Sequence, residues 1–120
     1  MQLWTYTVTV TLISLFLVEP LRGESVSVLF EKGVYQEETA GDLDGAIGIY
    51  KTIVEQEKTN RPLVAQALTR LGECRLKQGQ LAEAAQAFDD LKARFPDQTE
   101  LVARTLKKLA AARGTSHLGT

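Results

Sequence analysis

Residues 65–98 read AQALTRLGECRLKQGQLAEAAQAFDDLKARFPDQ, and this stretch decides the fold. It holds two segments whose apolar residues recur every three or four positions, as on one face of an amphipathic helix. Gly72 and Ala84 are small enough to let two antiparallel helices approach closely, and Phe88 fills the space beside them. Pro96 ends the second helix because proline cannot continue one. The stretch therefore predicts a helix–turn–helix hairpin.

The spacing resembles the tetratricopeptide repeat, a helix–turn–helix unit of 34 residues. The positions that match its pattern are Leu68, Leu71, Gly72, Ala84, Phe88 and Pro96. Where the repeat usually has tyrosine, three residues after the glycine, this chain has Arg75. The resemblance implies an all-α fold, a short α-solenoid, and a scaffold that binds proteins without catalysing a reaction.

An earlier copy of the unit precedes this one. Residues 41–50 match residues 79–88 at an offset of 38, and Ala46 and Tyr50 take the small and the aromatic positions. We therefore predict a first repeat at about residues 27–60. The matched segments begin with Gly41 and Gly79, so each hairpin is expected to turn at its glycine.

The first helix of the earlier copy is predicted at about residues 26–39, because Leu29, Phe30 and Val34 form an apolar stripe on it. The offset of 38 exceeds the usual period by four residues. We expect the extra residues in the polar link at 58–62, since insertions are tolerated in surface loops.

A single further helix is predicted at residues 98–113, after an N-terminal cap at Asp97. Gly114 is expected to end it, and residues 114–120 to form a flexible tail. The repeat domain then spans residues 24–113 as two antiparallel helix pairs and a capping helix. About three units are usually needed for a stable array, so we expect marginal stability or support from a partner.

The first 23 residues differ from the rest. Residues 1–18 carry no charged side chain, and an apolar run from Val8 to Val18 ends before Pro20 and Gly23. This predicts a secretory signal peptide. The alternatives are an uncleaved membrane anchor, and a β-prone tail that packs on the domain. Membrane contact is expected only through residues 1–18, and only if they stay uncleaved.

Two short segments, residues 71–74 and 93–97, resemble the tetratricopeptide variant of bacterial cell-envelope proteins. This narrower resemblance agrees with the predicted signal segment. It implies an exported adaptor that is periplasmic or secreted.

Composition argues against several classes of function. The chain has 120 residues and a formal charge of −1, which predicts one domain and no nucleic-acid surface. With one histidine and one cysteine, the sequence predicts no metal site, no cofactor and no nucleophile–base pair, so we expect no enzyme. Cys74 is interpreted as a small buried apolar residue, or alternatively as half of a disulfide between two chains.

The resemblance implies that a partner binds the concave face formed by the first helix of each pair. The residues at the positions that usually face it are Val28, Glu31, Tyr35, Glu38 and Thr39 in the first pair, Gln66, Thr69, Glu73, Leu76 and Lys77 in the second, and Glu100, Ala103 and Lys107 in the last helix. The Lys and Asn residues with which some members hold a terminal carboxylate are absent, since Thr69 and Glu73 stand there.

The acidic first pair predicts an extended or helical peptide of basic character as the partner, with Tyr35 as the aromatic contact. Three alternatives stay open. These residues can be an ordinary solvated surface, the chain can be a self-assembling structural oligomer, or it can be the repeat portion of a larger enzyme or regulator.

Overall fold

The computed structural model describes residues 25–118, and the regular elements in that range are all helical. They are α1 (Val26–Tyr35), a π-helical turn (Gln36–Ala40), α2 (Leu43–Gln56), α3 (Arg61–Lys77), α4 (Leu81–Arg94) and α5 (Thr99–Leu118). The absence of strands among residues 25–118 confirms the all-α fold for that part of the chain. The predicted signal or anchor segment, residues 1–23, lies outside the described residues. No helix within 25–118 is long and apolar enough to cross a membrane.

Three helices begin at a side chain that accepts a backbone N–H three residues later. Ser25 caps α1, Asp42 caps α2 and Asn60 caps α3. The two hairpins turn at Gly41 and Gly79, where φ is 72° and 76°. Only glycine adopts this left-handed conformation readily, so the predicted turn positions are confirmed.

The predicted link at residues 58–62 is wrong at two of its five residues. Asn60 caps α3, and Arg61 and Pro62 already belong to the first helical turn. Proline fits there because the first N–H groups of a helix have no partner within the helix. The four extra residues of the 38-residue offset therefore lengthen α3 by about one turn, whereas the loop before it is not lengthened.

α3 lies at the centre of the fold, where it contacts each of the other four helices. The residues predicted to pack the repeats are largely enclosed. Ala46, Tyr50, Leu68, Gly72, Ala84 and Phe88 are buried, and Leu71 is half-buried. Pro96 is exposed and follows the end of α4 at Arg94, in agreement with its predicted role as a helix terminator.

Each helix pair crosses where a glycine meets an aromatic ring. A methyl group on Gly33 would lie 2.7 Å from Cε1 of Tyr50, and one on Gly72 would lie 2.6 Å from Cδ1 of Phe88. Both contacts are too short for carbon atoms, so each crossing requires glycine. The predicted role of Gly72 is confirmed, and Gly33 is its counterpart in the first pair.

The distance in sequence from the crossing glycine to the turn glycine differs by one residue between the two pairs. Gly33 precedes the turn glycine Gly41 by eight residues, whereas Gly72 precedes Gly79 by seven. The extra residue lies in the π-helical turn, where the N–H of Gly41 donates to the carbonyl of Gln36, five residues back.

The alignment used for the first helix is therefore wrong by one residue. When the two pairs are aligned on Gly33 and Gly72, each of the five predicted contacts in α3 has an equivalent 39 residues earlier. These equivalents are Ser27, Phe30, Val34, Glu37 and Glu38. One residue rotates a side chain by about 100° around a helix. Val28, Glu31 and Tyr35 consequently point away from the direction that the sequence predicted.

The last helix continues to Leu118, so the predicted end at Gly114 is wrong. A helix that stops at glycine usually places it in the left-handed conformation, which Gly114 does not adopt. Glycine inside a helix costs about 1 kcal/mol relative to alanine but does not prevent the helix. Residues 115–118, predicted to be tail, belong to α5.

Candidate functional site

A buried carboxylate joins the first helix pair to the second. Glu37 is only 6% exposed. Its Oε1 accepts hydrogen bonds from the Tyr50 hydroxyl at 2.8 Å and from Arg70 Nη1 at 3.1 Å, and its Oε2 accepts one from Lys77 Nζ at 2.7 Å. Nothing local in the sequence indicates that Glu37 is buried, because its partners come from two other helices.

The electrostatics of this network favour a fixed arrangement of charges. Burial by itself would raise the pKa of Glu37, but the hydrogen bonds from Lys77, Tyr50 and Arg70 outweigh it and hold the pKa below its ordinary value. Burial and the adjacent carboxylate raise the pKa of Tyr50 far above its ordinary value. Neither shift brings a pKa closer to pH 7, near which a general acid or base works best. The network connects the π-helical turn to α2 and α3 through one carboxylate.

A similar junction joins α3 to α5. Glu73 accepts from Arg104 Nε at 2.9 Å and Nη2 at 2.6 Å, and Lys108 Nζ lies 3.1 Å from the same carboxylate oxygen. Arg70 and Arg104 are 34 residues apart, one repeat period. Each junction therefore pairs one carboxylate with two basic side chains of the first helix in the following unit. The carboxylate comes from the π turn at one junction and from α3 at the other.

Two of the predicted partner contacts, Thr69 and Glu73, are buried. Thr69 is 1% exposed, and its hydroxyl donates to the carbonyl of Ala65 at 2.8 Å. Glu73 is buried under Arg104 and Lys108. Neither side chain can reach a partner in this conformation, because both are buried.

Of the other eleven predicted contacts, Leu76 is half-buried and ten are exposed, but not all of the ten share one groove. Glu31 and Tyr35 line a groove of about 430 Å³ with Val28, Lys32, Gln36 and Ile49. We call it the edge groove; Ile49 belongs to α2, so the groove lies at the free edge of the first pair. Glu38, Gln66, Lys77 and Lys107 are exposed on the first helices or the π turn and do not line it.

A larger groove, which no sequence prediction singled out, lies on the second helices. It measures about 700 Å³, and its walls come from α2 and α4 and its floor from α3. The floor includes Arg75, the residue at the position where the repeat usually has tyrosine. That departure is the one signal in the sequence that could have pointed to this surface. We call it the second-helix groove.

The described residues contain no cluster of three or more His, Cys, Asp or Glu side chains that could hold a metal ion. Cys74 is buried, which confirms its interpretation as a small apolar residue. A disulfide to another chain would need an exposed sulfur, so this structure contradicts that alternative. Burial raises the pKa of the Cys74 thiol to about 12.

A family profile described as tetratricopeptide repeat matches residues 24–99. The chain belongs to the tetratricopeptide repeat family. The match covers both helix pairs and ends where α5 begins. No curated protein and no solved structure matched the chain. Members of this family generally mediate contacts between proteins, which agrees with an adaptor role. The cell-envelope type stays a prediction.

Proposed function

We propose that this chain is a non-catalytic adaptor that binds a protein or peptide on the surface of its first helices. The observation that carries the proposal is the pair of charged junctions, Glu37 with Arg70 and Glu73 with Arg104, which tie α1, α3 and α5 into one ordered surface. A surface that is ordered before binding loses less conformational entropy when a partner arrives.

The exposed side chains on this surface favour a partner of basic character. Glu31 lies near Tyr35 in the edge groove, and Glu38, which forms a surface ion pair with Arg70 at 2.9 Å, lies further along at the π turn. Tyr35 is 57% exposed, and tyrosine is among the residues that contribute most to protein interfaces. Gln66, Lys77 and Lys107 would make the polar contacts at the rim.

Selection from a displayed library of random peptides would test this function. We expect the folded protein to enrich peptides with Lys or Arg near an apolar residue. Their affinity should fall about tenfold in the Tyr35→Ala and Glu38→Lys variants. The matched control is Lys92→Ala, an exposed change on α4. Affinities that are equal in all four proteins would overturn the proposed surface.

We also propose that the protein is exported, on the strength of the uncharged apolar segment at residues 1–18 and the resemblance to cell-envelope repeats. Mass spectrometry of the amino terminus in the exported fraction tests this. A start at or near Glu24 is expected. An intact Met1 on a membrane-bound protein would favour the anchor instead.

One observation favours self-association as a second candidate function. Large apolar side chains are exposed at both ends of the helix stack, with Val28 and Tyr35 on α1 and Leu106 on α5. A head-to-tail contact between copies would cover both ends. Sedimentation over a range of concentrations should then show an oligomer that Leu106→Glu dissociates. A monomer at every concentration would exclude this candidate.

A further inference from the structure

We infer that the second-helix groove is a separate binding site for a peptide segment that carries apolar side chains flanked by Lys or Arg. The inference rests on the proposed function only in taking a protein segment as the ligand. It places that segment on α2 and α4, whereas the proposed adaptor surface lies on α1, α3 and α5.

The size and floor of the groove suit an apolar anchor. Its volume of about 700 Å³ falls within the range of roughly 300–1,000 Å³ that is usual for ligand sites. Leu68 and Leu71 lie at the bottom, and Val54 and Ala87 flank them from the walls. Val54 and Leu71 are only half-buried, so an apolar side chain placed here would remove their remaining surface from water.

The walls of the groove are acidic. They carry the four carboxylates of Glu55, Glu83, Asp89 and Asp90. With the bases Lys51 on the wall and Arg75 on the floor, the groove has a formal charge of −2. The whole chain, by comparison, carries −1. The groove therefore concentrates negative charge, which attracts a basic ligand and raises its rate of association.

Three of these carboxylates are available to a ligand. Asp90 forms an ion pair with Arg94, whereas no ion pair within residues 25–118 engages Glu55, Glu83 or Asp89. Glu55 stands on the α2 wall, and Glu83 and Asp89 stand on the α4 wall. A segment lying between the walls would thus meet a carboxylate on either side, which is why we expect basic residues to flank its apolar anchor.

Arg75 provides the floor with hydrogen-bond donors. Its Nη1 donates to Oε1 of Gln80 at 2.8 Å, which orients the guanidinium. A guanidinium has five N–H groups, so others can donate to the unpaired backbone carbonyls in the last turn of a bound helical segment. The usual tyrosine of the repeat would have a single hydroxyl at this position.

The probe for this site is a synthetic helical peptide of leucine and lysine, with leucines on one face, compared with a counterpart in which glutamate replaces every lysine. Titration of the full, ¹⁵N-labelled chain should shift the amide signals of the groove residues with the lysine peptide. The glutamate peptide should bind at least tenfold more weakly, because the walls would repel it.

Two variants test the site directly. Glu83→Lys with Asp89→Lys should weaken the lysine peptide at least tenfold, and Gln86→Trp should do the same by filling the groove from an exposed position on its wall. The matched control has the same change in charge outside the groove, Asp44→Lys with Asp97→Lys. Both control residues are exposed and make only surface contacts.

The outcomes separate this site from the adaptor surface. If the charge variant weakens binding but Gln86→Trp does not, the peptide binds a charged helix face and the groove is overturned. Equal weakening in the Asp44 and Asp97 control would show non-specific attraction and would overturn it as well. Loss of binding in Tyr35→Ala alone would assign the peptide to the surface of the proposed function and refute the second site.

Discussion

The two helix pairs pack the same crossing with different chemistry. In the first pair Gly33 faces Tyr50, whose hydroxyl donates to Glu37. In the second pair Gly72 faces Phe88, and the residue that corresponds to Glu37 is Leu76, which packs against the cluster that contains Phe88. A buried hydroxyl needs a hydrogen-bond acceptor, whereas a phenyl ring needs only apolar neighbours. One oxygen atom on the ring thus accounts for the carboxylate in one pair and the leucine in the other.

The turns of the two pairs differ as well. The N–H of Asp42 donates to the carbonyl of Gln36, six residues earlier, whereas the equivalent N–H of Gln80 donates to Arg75, five residues earlier. The first pair accommodates one more residue than the second without losing the glycine turn. The crossing and the turn are therefore independent features of the repeat.

The largest effect that separates the two pairs is expected from Glu37→Ala. This change leaves the Tyr50 hydroxyl without its acceptor and Arg70 without one carboxylate, at a cost of about 2–4 kcal/mol in the free energy of unfolding. Urea denaturation measures it. Glu38→Ala is the control and should cost at most about 1 kcal/mol, because that side chain is exposed. Equal losses would mean that the buried network contributes no more to stability than the exposed ion pair of Glu38 does.

Exchanging the two rings tests the comparison more sharply. Phe88→Tyr buries a hydroxyl beside Leu76 and should cost about 1–3 kcal/mol, as is typical of an unpaired polar group. Tyr50→Phe removes one hydrogen bond to Glu37 and should cost about 1 kcal/mol. Adding Leu76→Gln to Phe88→Tyr supplies an acceptor and should restore part of the loss. A tolerated Phe88→Tyr would show that the second crossing does not depend on an apolar ring.

The contribution of the network should also depend on pH. The folded pKa of Glu37 lies below its ordinary value of 4.5, so its stabilisation is present above that pH and is lost as pH falls through the folded pKa. The difference in free energy of unfolding between the wild type and Glu37→Gln should narrow as pH falls from about 6 to about 3. A difference that stays constant over this range would contradict the assigned charge state.

The smallest effect is expected from removing the extra residue of the first turn. Deleting Thr39, which is exposed in the π-helical turn, would make this turn as short as the one after α3 and leave Glu37 in place. We expect the free energy of unfolding, measured by thermal denaturation, to change by about 1 kcal/mol or less, because π-helical turns offer no special stability. A much larger loss would show that the first crossing needs the longer turn.

The parts of the fold that were predicted correctly depend on residues close together in the sequence. The turns at Gly41 and Gly79, and the small residue and ring at Ala84 and Phe88, follow from local spacing. The register of α1 was wrong because a π-helical turn differs from an α-helical one by a single residue, and an alignment started from Gly41 cannot detect it. The end of α5 was wrong because glycine permits a helix to stop without requiring it.

The candidate site was less predictable for a related reason. Glu37 and Lys77 are 40 residues apart, and Glu73 and Arg104 are 31 apart, so nothing local shows that these charges meet. Thr69 was expected on the surface because its burial depends on other helices packing against α3, which the pattern of α3 alone does not encode. The second-helix groove needs three helices to form, and only Arg75 pointed to it.

By itself, the sequence determined that this chain forms helical hairpins of the tetratricopeptide type, because helix periodicity, turn glycines and small residues act over a few neighbouring positions. Only the tertiary structure decided which charges are buried and which surfaces stay open. That choice depends on the rotation of α1 and on the docking of α5, where a shift of one residue turns a side chain from solvent to core.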